Sequence, residues 1–156
     1  MSESRHHQIV IVGGGCAGIP VAASLRRRQG GRKLDIAIVE PSRTHYYQPA
    51  FTLVGAGDYT LAKTRREESR LIPPGVALIR DRVGGFEPGG NRIILTGGGA
   101  VSYDYLVVCP GLELNWGGIE GAEAALGGNG VCSNYDPRYA EYTWECLRGL
   151  KPGARA

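Results

Sequence analysis

Three groups of residues in this chain have the types and spacing to do chemistry. The first is the loop Gly13-Gly14-Gly15-Cys16-Ala17-Gly18, followed by Glu40 22 residues after Gly18. A G-x-G-x-x-G loop suits a pyrophosphate: Gly13 takes the backbone angles of a sharp turn, Gly15 lets the main chain approach the phosphates, and Gly18 lets the next helix pack tightly. Unpaired N–H groups at the start of that helix, with the positive end of its dipole, then face the anion. An acid at the distance of Glu40 accepts hydrogen bonds from an adenosine ribose. The second group is Thr44-His45-Tyr46-Tyr47-Gln48-Pro49. It follows the acid directly, where loops at strand ends hold ligands, although its spacing fits a packed aromatic loop equally well.

The third group is the four cysteines at positions 16, 109, 132 and 146. They form no C-x-x-C pair and no metal spacing with His6, His7 or His45, so no zinc site is expected. Cys16, Cys109 and Cys146 read as small, sheltered hydrophobes, Cys16 because a bound nucleotide covers it. Cys132 follows Gly127-Gly128-Asn129-Gly130-Val131, a stretch too glycine-rich for a core, and precedes a helix start at Asp136. It is expected to be the most reactive of the four.

A glycine loop alone is weak evidence among 25 glycines, so the elements that position it decide. Gln8 to Val12 holds four consecutive β-branched residues, the pattern of a strand buried on both faces. Ile19 to Arg28 reads as a helix: Val21, Ala22 and Leu25 share a face, Pro20 sits in the first turn, Arg26-Arg27-Arg28 suit the C-terminal dipole, and Gly30-Gly31 stop it. A second strand, Leu34 to Val39, ends in Glu40.

Further along, residues 60 to 71 read as a polar helix anchored by Leu61 and Leu71 and closed by Pro73-Pro74-Gly75. From Val76 the period changes to two. Val76 to Glu87, Arg92 to Thr96 and a short piece at Ala100-Val101, separated by glycine-rich turns, suggest a β-meander. Tyr103 to Cys109 reads as another buried strand before Pro110-Gly111. The last element is a helix with Asp136 as N-cap and Pro137 at its first position.

A length of 156 residues with 42% hydrophobic content supports one domain over residues 1–156 with a real core. The net charge of +3 is spread out, and Lys63-Arg65-Arg66 is followed at once by Glu67-Glu68, so these runs read as solvated faces rather than a nucleic-acid surface. Glu3 and two histidines precede the uncharged stretch from Gln8, which argues against a signal peptide. No run is long and apolar enough to span a bilayer.

At this point the motifs resemble a family. The glycine loop, then Ile38-Val39-Glu40-Pro41-Ser42 with His45-Tyr46-Tyr47-Gln48-Pro49, then Thr52-Leu53-Val54-Gly55-Ala56-Gly57, Ile72-Pro73-Pro74-Gly75-Val76, Tyr103 to Gly111, and Cys132-Ser133-Asn134-Tyr135 are similar to the N-terminal portion of the sulfide:quinone oxidoreductases. The resemblance implies an α/β fold: a Rossmann-like FAD-binding domain with a parallel sheet and an inserted β-meander. It also implies an N-terminal part of a longer two-domain flavoprotein, ending before the second dinucleotide-like domain. FAD is the implied cofactor, with Gly13, Gly15, Cys16, Ala17 and Gly18 at the pyrophosphate and Glu40 on the ribose. Gln48 is implied near the cofactor, and Val83 offers its backbone to the adenine. Sulfide and quinone are the implied substrates, two electrons passing between them through FAD.

The family's flavin-proximal cysteines and its membrane-contacting, quinone-binding region lie beyond Ala156, so the isolated chain is expected to be inactive; with neither a signal peptide nor a membrane span expected, the expected location is cytoplasmic or peripheral to a membrane. Cys132 corresponds to a redox or persulfide-carrying cysteine in some members. Other readings stay open at this stage: a related pyridine nucleotide-disulfide-type enzyme, a nicotinamide-binding domain, or a non-catalytic dinucleotide-binding fragment.

Overall fold

A computed structural model describes residues 5–28, 30 and 33–154. Glu3 and Gly31, used above, lie outside them. The chain divides into two compact units, the first formed by residues 1–45 and 66–111 and the second by residues 46–65 and 112–156.

The first unit is built on β1 (Arg5–Val12), which leads through the glycine loop into α1 (Gly18–Arg28) and on to β2 (Ile36–Val39). β1 has parallel neighbours on both sides. Its Ile9 to Val12 face β2 in the register Ile9↔Ile36 to Val12↔Val39, and its other edge runs along β8 (Ala100–Val108) up to Val12↔Val108. β5 (Val76–Ile79) extends the sheet beyond β2, again in parallel. Side chains alternate across a strand, and the burial follows. Ile9, Ile11, Ile36 and Ile38 meet Ala22, Val21 and Leu25 of α1 on one face. Val10, Val12, Ala37, Val39 and Ile79 meet Ile93, Val101 and Tyr103 on the other. Burying each of these aliphatic side chains contributes roughly 1.5–3 kcal/mol.

On the other side of β1, beyond β8, the sheet turns antiparallel through β7 (Arg92–Leu95) to β6 (Val83–Glu87), giving the order β5-β2-β1-β8-β7-β6. Two expectations are corrected here. The meander starts at Val83 rather than Val76, because Val76–Ile79 finds its partner in β2. Ala100-Val101 and the strand from Tyr103 are one strand, since Asn91 O accepts the Tyr103 N–H and β1 supports the whole length. The second strand also begins at Ile36, two residues later than Leu34.

Two short strands, β3 (Thr44–Tyr46) and β4 (Arg65–Glu67), pair with each other where the chain passes between the units. The helix expected over residues 60–71 is instead one turn, α3 (Leu61–Thr64), then β4, then a 3-10 turn at Glu68–Arg70. Glu68, which opens that 3-10 turn, is buried.

In the second unit α2 (Phe51–Gly55) packs against α5 (Ala140–Arg148), with Phe51, Val54 and Ala140 buried and Tyr46 edge-on to Phe51 at 6.0 Å between ring centroids. A one-turn helix, α4 (Ala122–Ala125), lies between them in sequence. α5 starts at Ala140 rather than Pro137. Asp136 Oδ1 accepts the Arg138 N–H at 2.8 Å and the carboxylate grips the Arg138 guanidinium, so residues 136–139 form a turn that only then continues as helix.

Candidate functional site

The glycine loop leaves β1 at its C-terminal end, where the Gly13 N–H donates to Val39 O at 2.9 Å and Val12 O accepts the Cys109 N–H at 2.8 Å. Gly13 has φ +98° and its α-carbon faces the Cys109 carbonyl so closely that a Cβ would overlap it. A Cβ on Gly18 would strike the Gly13 carbonyl and press on Ile11 of β1, which is the close helix–strand packing expected of that position. Gly15 is different: nothing lies within 4 Å of where its Cβ would be. Its α-carbon opens on free space beside the N-terminus of α1, room that a pyrophosphate fits.

Glu40 stands at the end of β2. Its Oε2 accepts the Gly14 N–H at 2.8 Å and its Oε1 accepts the Ser42 N–H at 2.7 Å. The carboxylate is thus fixed by two main-chain donors, with lone pairs left over for further hydrogen bonds. Next to it lies a residue that sequence reading placed on a solvated face. Glu68 is 1% exposed, its N–H donates to Arg43 O at 3.0 Å, and its Oε2 is 3.4 Å from His45 Nδ1. Burial raises its carboxyl above the ordinary glutamate range, nearby Glu40 adds to the rise, and the charges of His45 and Arg80 oppose it. On the other side of the imidazole, His45 Nε2 is 3.9 Å from Cys16 Sγ. A Cβ on Gly14 would come within 2.5 Å of Glu68 Oε1 and 2.9 Å of Glu40 Cγ, so that glycine makes room for both acids.

The loop glycines, Cys16, Ala17 and Glu40 therefore come together in the first unit. Cys16 and Ala17 are exposed on the loop. Val83 opens β6, pairs with Leu95, and packs against the buried cluster that runs from Val10 and Val12 to Val101 and Tyr103. In the second unit Gln48 lines a cleft of about 340 Å³ with Leu112, Trp116, Tyr135 and Arg138. Cys132 is half-buried, and α5 starts at Ala140, eight residues after it rather than at the expected position. Cys16 is exposed on the loop where the nucleotide is expected to cover it, while the other three thiols are partly covered. Among the described residues no group of three or more His, Cys, Asp or Glu side chains is arranged to hold a metal ion. No helix of the described residues is long and apolar enough to cross a membrane.

Comparison with known proteins adds the following. The family model for pyridine nucleotide-disulphide oxidoreductases matches residues 7–140. The chain is 45% identical over 146 residues to the mitochondrial sulfide:quinone oxidoreductase of Dictyostelium discoideum, covering 94% of this chain and 32% of that protein. It is 39% identical over 152 residues to the mitochondrial sulfide:quinone oxidoreductase of Mus musculus, covering 97% and 33%. The solved sulfide:quinone oxidoreductase of Aquifex aeolicus superposes over 93% of this chain and 32% of its own with a TM-score of 0.69 at 23% identity, a likeness of fold. The chain spans about a third of the length of the curated relatives it matches.

Proposed function

Because the chain belongs to the pyridine nucleotide-disulphide oxidoreductase family, we propose that it is the N-terminal, FAD-binding portion of a sulfide:quinone oxidoreductase. The observation that carries this reading is the 45% identity spread over 94% of the chain. The glycine loop by itself serves many dinucleotide enzymes. FAD is the cofactor, and when bound it supplies two-electron transfer from sulfide sulfur to a quinone.

The chain's own residues bind and orient. The Gly13 and Gly14 N–H groups are taken by Val39 and Glu40, so the main-chain N–H groups from Gly15 to Gly18 are the ones offered to the pyrophosphate, the open side of Gly15 admits it, and Cys16 and Ala17 flank it. Glu40, already aligned by Gly14 and Ser42, accepts the ribose hydroxyls with its remaining lone pairs. Val83 lends its backbone to the adenine. Gln48, in the second unit, is assigned to the cofactor by the family resemblance alone. Cys132 is the residue of this chain offered for sulfur chemistry, as a persulfide carrier. A quinone acceptor implies peripheral contact with a membrane, which falls to parts of the longer protein outside this chain.

The test is purification of the full-length protein. It should be yellow with a flavin spectrum and should reduce quinone only when sulfide is present. Cys132→Ser should slow sulfide oxidation without loss of flavin, and a wild-type rate would remove Cys132 from the reaction. A bound nicotinamide in place of flavin would overturn the assignment as a whole.

A further inference from the structure

We infer that Cys16, His45 and Glu68 form an activated-thiol site that reacts with hydroperoxides and other soft electrophiles. The three residues come from separate segments, the glycine loop, β3 and the turn after β4, and meet in one line. Cys16 Sγ is exposed and 3.9 Å from His45 Nε2. His45 Nδ1 is 3.4 Å from Glu68 Oε2, with side-chain exposures of 11% for His45 and 2% for Glu68. When Nδ1–H donates to the carboxylate, the Nε2 lone pair faces the thiol. This is the relation of nucleophile, base and orienting acid that covalent catalysis requires.

A second observation comes from the far oxygen of Glu68. Oε1 is buried and has no hydrogen-bond partner among the described residues. An interior carboxylate held by one imidazole and otherwise unsatisfied is costly, and an amide or an apolar side chain would serve packing at lower cost. Its one ring partner, His45, is the residue that reaches Cys16. The site also lies ahead of the 11-residue α1, whose N-terminal dipole favours an anion on the loop.

With a hydroperoxide the step balances as follows. The Cys16 proton passes to His45 Nε2, and the thiolate sulfur attacks one peroxide oxygen. The O–O bond breaks, and the leaving alkoxide takes the proton back from Nε2. The sulfur is oxidised to a sulfenic acid and the hydroperoxide is reduced to an alcohol. A further consequence rests on the proposed pyrophosphate placement: bound FAD covers Cys16, so dinucleotide binding and thiol modification exclude each other.

The experiment uses the full-length protein, flavin-free and FAD-loaded. Each thiol's rate of alkylation by iodoacetamide is followed by peptide mass spectrometry, and sulfenic acid is trapped with dimedone after exposure to tert-butyl hydroperoxide. In the flavin-free wild type Cys16 should react at least tenfold faster than Cys132, and the dimedone adduct should map to Cys16. His45→Gln should lower the Cys16 rate about tenfold while Cys132 and Cys146 keep theirs, Glu68→Gln should fall between, and imidazole should restore the rate in His45→Ala. Equal Cys16 and Cys132 rates in the wild type, a result that needs no variant to fold, would overturn the site. So would a Cys16 rate unchanged in His45→Gln. If His45 governs the rate but FAD gives Cys16 no protection, the thiol site stands and the pyrophosphate placement falls.

Discussion

Gly13 and Gly15 differ by two positions and by the whole character of what surrounds them. Gly13 combines φ +98° with a carbonyl in the path of any Cβ, while Gly15 faces open space. Gly13→Ala should therefore destabilise the fold by more than about 1–3 kcal/mol, the scale of a strained backbone position. Gly15→Ala should leave the melting temperature of the flavin-free protein unchanged yet weaken FAD binding. Thermal unfolding and flavin titration of the two variants check this, and equal loss of stability in both would refute a ligand role for Gly15. Glu40→Ala should weaken FAD binding by about one to two orders of magnitude, the equivalent of a charge-assisted hydrogen bond of roughly 1.5–3 kcal/mol. An unchanged flavin affinity in the full-length variant would show that the ribose lies elsewhere. The placement of Gly13, Gly15 and Glu40 could be read in the sequence because it is local, set by a strand, a turn and a helix in immediate succession. That of Glu68 could not. It lies in the charged stretch Arg65-Arg66-Glu67-Glu68, and its burial is set by His45, Arg43 and Gly14, none of them near it in sequence.

At the scale of elements, the strands that bury both faces and the helix after the loop could be read from period and caps, whereas partner choice could not. Val76–Ile79 precedes the glycine-separated strands of the meander and reads as its first strand, yet it pairs with β2 in parallel; the sequence pattern reports that a strand is buried but not by whom. The start of α5 was misplaced for a related reason. Asp136 has the chemistry of an N-cap but spends it on a tight turn with Arg138. That turn carries a pH signature. The hydrogen bond from the Arg138 guanidinium holds the Asp136 carboxyl below the ordinary aspartate range, against an opposing effect of burial. A carboxyl depressed on folding stabilises above its unfolded value, about 3.9, and the contribution is lost as pH falls through the folded value. Asp136→Ala should cost about 1 kcal/mol at neutral pH. The difference from wild type should disappear in the acid limb of urea unfolding. A gap that persists undiminished at low pH would assign the effect to packing instead.

For the molecule as a whole, the exposed apolar side chains indicate what an isolated 156-residue chain should do. Leu112 is 83% exposed, Tyr105 66% and Ile119 64%, with Tyr135, Tyr47 and Val108 also above half exposed. Expressed alone, the chain should aggregate in size-exclusion chromatography and show no sulfide-dependent quinone reduction. A monodisperse, active chain of this length would contradict the reading that it works as part of a longer enzyme.

The pairing of β8 along the full length of β1 has a further consequence, for the chain during its synthesis. Val12 leaves the ribosome 96 residues before its partner Val108, an interval of about 5–20 s at ordinary elongation rates. Throughout it, β1 has only β2 beside it, and the other edge of its buried Ile9 to Val12 half is open to any extended segment nearby. A nascent chain paused in this window is a natural client for a holding chaperone, and synonymous codons that slow translation between residues 12 and 108 should lower soluble yield without changing a single amino acid.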